Sequence, residues 1–264
     1  MKDPWDNRVV LITGASSGIG EALLRQLAKS NSTIIAIARR AEQISLPEGA
    51  KAQLISLSVD LRDEASILTA IQEIKTKVKQ IDVIFNNAGI TAHGRFDEIQ
   101  IKVYHETFAT NFFGPILLIQ GLLPELKRGK GMVVTTSTVS ALYGIPGRAP
   151  YSASKAALHA AMEAMRIELR EEEIGVALVC VPYTKTALRT SGLGPDGKIL
   201  DEAQANRPLM SPEEVAEALV QIARKKNSRL VTIDKTGFFV KWMRNLSPSF
   251  LEKTLFRKLY HDFH

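Results

Sequence analysis

Seven short runs rich in valine and isoleucine recur along this chain, separated by amphipathic stretches. They are Arg8–Thr13, Thr33–Ala38, Gln53–Ser58, Val83–Asn86, Gly131–Ser137, Val176–Val181 and Leu230–Ile233. Most read as continuous apolar segments, the pattern of strands covered on both faces of a parallel sheet. Helical periodicity fills the gaps, at Gly20–Lys29, Glu64–Val78, Val103–Leu122, Ser152–Glu173 and Glu213–Lys226. The last of these has a strong start signal in Ser211-Pro212-Glu213-Glu214, with a cap, proline at the first helical position and two early acids. Strand–helix alternation calls for right-handed crossovers between parallel strands. The expected fold is therefore α/β, a doubly wound parallel seven-stranded sheet in one domain.

Two stretches break the pattern. Pro182–Arg207 is rich in turn residues, including Gly192, Gly194, Pro195 and Gly197, and reads as a loop. Residues 234–264 are basic, aromatic and helical in period. The division expected is a core domain over 1–233, with a substrate loop near 183–207, and a helical C-terminal extension over 234–264 packed on the same domain.

Composition narrows the function. Hydrophobic residues make up 45% and charged residues 23% of the 264, which suits a soluble domain able to bury a large core. The lone cysteine, Cys180, excludes an intramolecular disulfide and fits a reducing compartment. It lies in an apolar run and reads as a small buried strand residue rather than a reactive thiol. The first apolar run, Val9–Ile12, is too short for a secretory leader. No run approaches the roughly 18 apolar residues of a spanning helix, so a cytoplasmic location is expected. The net charge of +6 is not gathered into a long basic run or interleaved with aromatics along the main body, so nucleic acid is not an expected partner. No metal site is expected either.

The first strand runs into Thr13-Gly14-Ala15-Ser16-Ser17-Gly18-Ile19-Gly20 and then directly into a helix. Glycines there let the chain turn tightly and let a pyrophosphate approach without meeting a Cβ. The helix start offers free N–H groups and partial positive charge. Three glycines alone are a weak signal; their place at the first strand-to-helix junction makes it a specific one. The cofactor-binding candidates here are Gly14, Ser16, Ser17, Gly18, Ile19 and Gly20.

The second strand ends in Ala38-Arg39-Arg40. An acid at this point would hold a ribose 2′-hydroxyl and repel a 2′-phosphate, whereas arginine pairs with the phosphate through two hydrogen bonds. Arg39 and Arg40 thus favour NADP(H) over NAD(H). The third strand ends at Asp60, which suits either an adenine contact or a cap for the helix near Glu64.

Tyr151 and Lys155 lie four residues apart, on one face of a helix. A free phenol, with a pKa of about 10, is a poor base at neutral pH. A nearby ammonium favours the phenolate and suits the pair to exchanging a proton with an alcohol or carbonyl oxygen. On its own such a pair is usually structural; next to a dinucleotide loop it points to catalysis.

Together these features resemble the short-chain dehydrogenase/reductase family, of the type with a Thr-Gly-x-x-x-Gly-x-Gly loop and a Tyr-x-x-x-Lys pair on a Rossmann sheet. The resemblance covers about residues 7–233 and takes in Thr13–Gly20, Asp60, Asn86-Asn87-Ala88-Gly89, Asn111, Thr135–Ser140 and Tyr151/Lys155. It implies that Tyr151 is the general acid/base and that Lys155 binds the nicotinamide ribose and lowers the tyrosine pKa. Asn111 would hold a water that relays protons towards Lys155. It also implies cofactor contacts from Asp60, Leu61, Asn87, Ala88 and Gly89, and from Pro182, Thr184 and Thr186, with Thr186 at the nicotinamide amide.

Two positions depart from that pattern. The serine usual thirteen residues before the tyrosine is replaced by Thr138. It keeps the hydroxyl that would hold the substrate oxygen but adds a methyl group. Ser137 should face the other side of the strand. After the sixth strand, Tyr183 stands where the family usually has glycine.

The expected activity is an NADP(H)-dependent interconversion of carbonyl and alcohol. The segments Ile90–Phe96, Ser140–Pro150 and Tyr183–Arg207 would set the substrate. Ala141, Leu142, Tyr143, Ile145, Pro146 and Leu188 give them an apolar cast that suits a hydrophobic small molecule or lipid. His93 and Arg148 could meet a polar group of the substrate, but as isolated residues they read as solvated loop side chains. The alternatives are a non-catalytic NADP(H)-binding sensor and a lyase or epimerase on the same fold. A homodimer or homotetramer through Val103–Leu122 and Ser152–Glu173 is expected from the resemblance. The extension holds Phe238, Phe239, Trp242, Phe250 and Leu255 among Lys241, Arg244, Lys253, Arg257 and Lys258. Three readings of it stay open: a cover for the pocket or a subunit interface, a peripheral contact with an anionic membrane, and a simply packed helix.

Overall fold

The computed structural model describes residues 3–186, 188, 191–200, 209–226 and 229–259. Strands form at Val9–Thr13 (β1), Thr33–Ala38 (β2), Gln53–Ser58 (β3), Val83–Asn86 (β4), Met132–Thr138 (β5), Gly175–Val181 (β6) and Leu230–Thr232 (β9). They pair in parallel in the order β3-β2-β1-β4-β5-β6-β9, the expected doubly wound seven-stranded sheet. The order reverses between β1 and β4. In such sheets ligands bind at this switch point, beyond the carboxyl ends of the strands.

Alternation along each strand feeds two cores. In β1, Leu11 faces the layer built by Ile67, Ile71 and Ile74 of α2 (Glu64–Lys77) and Leu158 of α6 (Ala149–Glu168). Its neighbours Val10 and Ile12 face the layer built by Leu23, Leu24 and Leu27 of α1 (Gly18–Leu27) and Leu219 of α7 (Pro212–Ala223). Both faces are therefore apolar, which is why the strands read as unbroken runs. The capping box at Ser211 forms as its sequence requires, with the Glu214 N–H donating to the Ser211 hydroxyl.

Two expectations about elements need correction. The stretch 103–122 is not one helix: α3 (Ile101–Phe108) passes through a π-helical segment at Ala109–Phe113 into α4 (Gly114–Gly121). A short helix follows, α5 (Leu123–Arg128). The stretch after β6 holds a small antiparallel hairpin, β7 (Gly192–Leu193) with β8 (Ile199–Leu200). Loop positions 187, 189–190 and 201–207 and the tail's 260–264 lie outside the described residues.

The C-terminal extension forms two helices, α8 (Lys235–Leu246) and α9 (Pro248–Leu259). Val240 and Leu251 pack against Leu142 and Cys180, with Val139, Tyr143, Met243 and Leu255 around them. The Tyr143 hydroxyl donates to Glu252 at 2.7 Å. The extension thus sits against the segment that follows β5.

Candidate active site

The turn after β1 adopts a conformation only glycine takes without strain. Gly14 has φ of +70°, and its N–H donates to the Ile37 carbonyl at 2.8 Å, tying the loop to β2. A Cβ on Gly20 would lie 2.1 Å from the Gly14 carbonyl oxygen, so the first turn of α1 closes directly onto the loop. Ser17, the N-cap of α1, makes no side-chain bond to the helix. Its hydroxyl leaves the first-turn N–H groups to another acceptor. This cradle fits a pyrophosphate. Ser16 and Ile19 are half-buried beside it. Thr186 is brought over it, with its Cγ2 3.0 Å from where a Gly18 Cβ would be.

At the end of β2 both Arg39 and Arg40 are exposed. Asp60 lies next door, at the end of β3. Its carboxylate accepts from Arg62 at 2.6 Å, and that bond holds it below the usual carboxylate range. Asp60 does not cap α2: Asp63 does, accepting from the Ala65 N–H at 3.0 Å. Leu61 is buried and packs against Gly114, where a Cβ would meet the Leu61 carbonyl oxygen at 2.2 Å.

The switch point is floored by a hydroxyl–amide knot. The Thr13 hydroxyl accepts from the N–H groups of Asn87 at 3.0 Å and Ala88 at 2.9 Å. The Asn87 amide donates to the Thr13 carbonyl at 3.2 Å and accepts from the Thr136 hydroxyl at 3.2 Å. Three strand ends are thereby tied together. The motif contained Thr13, but sequence reasoning gave it no role; a hydroxyl at a strand end beside a Gly-rich turn was the available signal.

α6 delivers the tyrosine and lysine. It starts at Ala149, so Tyr151 stands in its first turn and Lys155 one turn further on. Lys155 is buried, and its ammonium donates to the Thr136 carbonyl at 3.1 Å. Burial pulls its pKa down to about 8. Gly89 lies over this group: a Cβ there would stand 3.5 Å from Lys155 Nζ and 3.1 Å from Asn111 Oδ1. Asn111 sits inside the π-helical segment and is fully buried. Its amide exchanges two hydrogen bonds with the Ile90 backbone, each 2.9 Å, and donates to Ser154 at 3.1 Å. Ser154 in turn donates to the Tyr151 carbonyl at 2.9 Å. Ser154 was missed by sequence reasoning, and its small size gave no cue.

Thr138, at the end of β5, accepts from the Ser140 N–H at 3.2 Å, and its hydroxyl is among the groups that favour the ionised Tyr151 phenol. Ser137 points the other way, into the core, where it meets His159 Nε2 at 2.5 Å. Burial pushes the Tyr151 phenol up to about 12, opposed first by the charge of Arg148 and then by the Thr138 hydroxyl. Lys155 turns its charge to the Thr136 carbonyl. Arg148 is not the solvated side chain expected of it. It is half-buried, and its guanidinium carbon stands 6.0 Å from the Tyr183 ring centroid. His93 is likewise half-buried, 3.2 Å from the Thr91 hydroxyl and packed by Gly192.

Thr184 is buried with its hydroxyl donating to the Pro182 carbonyl at 2.9 Å, which shapes the turn that carries Thr186. The arrangement gathers a phenol, a second hydroxyl and an ammonium at the strand ends that also carry the glycine-rich turn. A separate hollow of about 260 Å³ lies elsewhere, between α6, β6, β9 and α8.

The chain belongs to the short-chain dehydrogenase/reductase family: the short chain dehydrogenase family matches it over residues 8–193. A Drosophila melanogaster protein described as dehydrogenase/reductase SDR family protein 7-like is 33% identical over 257 residues, 92% of this chain and 77% of the relative. Bos taurus dehydrogenase/reductase SDR family member 7B is 30% identical over 256 residues, 92% and 78% of the two chains. Among solved structures, a short-chain dehydrogenase from Streptomyces avermitilis superposes with a TM-score of 0.77 at 26% identity, covering 97% of this chain and 98% of the other. One from Burkholderia cenocepacia, in complex with NADP, gives 0.80 at 20% identity, covering 97% and 99%. The fold is thus that of this oxidoreductase family.

Proposed function

We propose that the chain is an NADP(H)-dependent oxidoreductase that interconverts a carbonyl and a secondary alcohol, or an aldehyde and an alcohol, on an apolar small molecule or lipid. The observation that carries this reading is Tyr151 on α6, one helical turn from the buried Lys155, whose ammonium lies against the Thr136 carbonyl and beside Gly89 and Asn111. When bound, the nicotinamide supplies or accepts the hydride. Thr138 holds the substrate oxygen. In reduction Tyr151 gives that oxygen its proton, and in oxidation it takes the proton back. Lys155 and Asn111, side by side beneath Gly89, hold the cofactor ribose and the proton path behind the phenol.

Gly14, Gly18 and Gly20 admit the pyrophosphate, and Arg39 and Arg40 meet the 2′-phosphate, with Asp60 and Leu61 at the adenine side. The Burkholderia relative's complex with NADP is consistent with that choice. Ile145 and Pro146, half-buried in the segment after β5, give it an apolar cast that favours a hydrophobic substrate over a polar one. Ile101, Phe113 and Ile167 are large apolar side chains exposed on or beside α3 and α6, which supports assembly as a homodimer or homotetramer through those helices.

The test is NADPH oxidation against a panel of apolar ketones and aldehydes, with Tyr151→Phe in parallel. Turnover of at least one carbonyl, lost in the variant by about a hundredfold or more, is expected. Tight NADPH binding with no turnover of any carbonyl would move the assignment to a non-catalytic NADP(H) sensor.

A further inference from the structure

We propose that the outward face of α8 and α9 docks the protein on an anionic lipid bilayer. One side of α8 is accounted for by its own domain: Gly237 and Val240 are buried. The opposite side carries a second apolar stripe. Phe238, Trp242 and Leu246 recur at four-residue spacing, with Phe239 beside them, and are 59%, 54%, 71% and 39% exposed. Residues at this spacing share one helix face. The rings of Phe238 and Trp242 lie 6.0 Å apart, centroid to centroid. On α9, Leu251 and Leu259 face the domain, while Phe250 and Phe256 are 53% and 54% exposed. Lys253 and Arg257 are exposed on the same helix.

Charge selects the occupant. Residues 235–259 hold six basic side chains (Lys235, Lys241, Arg244, Lys253, Arg257 and Lys258) and one acid, Glu252, a net of +5 out of the chain's +6. The other 239 residues together carry only +1. Glu252 is itself engaged with the Tyr143 hydroxyl. Arg166 and Arg229 join Lys241 around the hollow beside α8, against one acid there, Glu163. A second copy of this chain seated symmetrically on the face would bring that positive charge against itself. A bilayer surface bearing acidic headgroups meets both needs: it takes the aromatic side chains at the headgroup–acyl boundary and neutralises the cations. Among the described residues no helix is long and apolar enough to cross a membrane, so the contact is a surface one. This inference does not depend on the chemistry at Tyr151.

The test is co-sedimentation of the full chain with vesicles of phosphatidylcholine alone and of phosphatidylcholine mixed with phosphatidylserine, followed by tryptophan emission. Trp5 is buried, so a shift to shorter wavelength on binding reports Trp242. The expected result is binding to the serine-containing vesicles with that shift, relieved by high salt. Partitioning should weaken about fivefold for each basic side chain neutralised, read in Lys253→Gln and Arg257→Gln. Trp242→Ser with Phe238→Ser should abolish binding while circular dichroism and NADPH binding stay unchanged. The proposal is overturned by no binding, by binding with no emission shift, or by equal binding of all variants. It is also overturned if light scattering shows these substitutions dissolving an oligomer, or if the face captures single-stranded RNA and not vesicles.

Discussion

The Arg148 guanidinium stands 6.0 Å from the centre of the Tyr183 ring, and its charge is the largest influence opposing the burial of the Tyr151 phenol. A cation over an aromatic face is held in place by the ring's quadrupole. Tyr183, which stands where a glycine is usual, therefore gives Arg148 a surface to rest on. In alcohol oxidation Tyr151 must act as phenolate, so removing this positive charge makes the required form harder to reach. We expect Arg148→Met to move the alkaline midpoint of kcat/KM for oxidation to higher pH, with neutral-pH activity falling about tenfold for each pH unit the midpoint moves. Arg148→Lys should restore most of the loss. An unmoved midpoint in the methionine variant would refute the link.

Thr138 and Ser137 are adjacent but serve opposite sides of β5. The hydroxyl of the first favours the ionised Tyr151 phenol, and the second is buried against His159. Thr138→Val should lower kcat by about a hundredfold, the usual cost of losing one donor at a developing oxyanion, with NADPH affinity unchanged. Thr138→Ser should stay within a few-fold of the parent. Equal turnover in the valine variant would remove Thr138 from the mechanism.

Arg39 and Arg40 are exposed at the end of β2, so substituting them should leave the fold intact. Each charge-assisted hydrogen bond is worth about 1.5–3 kcal/mol. Replacing both with alanine should therefore weaken 2′,5′-ADP binding by at least tenfold and leave 5′-AMP binding nearly constant. Titration calorimetry with the two nucleotides reads this directly; parallel losses for both would show that the arginines do not see the 2′-phosphate.

His159 is buried, and its pKa is pulled down from 6.5 to about 4, first by burial and then by the Lys155 charge. The unfolded chain takes up this proton between pH 6.5 and about 4 while the folded chain refuses it, so stability falls with pH through that window. The full effect is about 3 kcal/mol. His159→Gln keeps a hydrogen-bonding partner for Ser137 but does not titrate. Urea unfolding at pH 7 and pH 4.5 should show a smaller acid loss for the variant, and identical losses would exclude the histidine as the cause.

The strands were legible because a doubly covered sheet leaves its mark residue by residue: Val10 and Ile12 feed one core, Leu11 the other. The phosphate loop, Tyr151 and Lys155 were legible because their chemistry needs fixed spacing on local elements. Arg148 and His93 were not, since a lone polar residue in a loop looks the same whether it meets solvent or a ring thirty-five residues along the chain. The hairpin at Gly192–Leu200 was hidden for a related reason, as two-residue strands have no period to read. The rise in the Tyr151 pKa was equally invisible, because burial is a property of the assembled fold.

The wide turn at Ala109–Phe113 acts as a phase corrector. From Val103 to Leu122 the buried face returns five times, at Thr107, Thr110 with Asn111, Gly114 with Pro115, Leu118 with Ile119, and Leu122. Nineteen residues at 3.6 per turn make about 5.3 turns, so a regular α-helix would arrive roughly a quarter-turn ahead. The π-helical segment takes up that surplus. Asn111, clasped by Ile90 in the middle of it, thereby keeps two helical stretches in register as one wall. Substituting it with leucine would do more than delete an amide beside Lys155. If the segment relaxed to α geometry, Leu118 and Ile119 would rotate off the sheet, and damage at the site would spread into the packing of the whole layer.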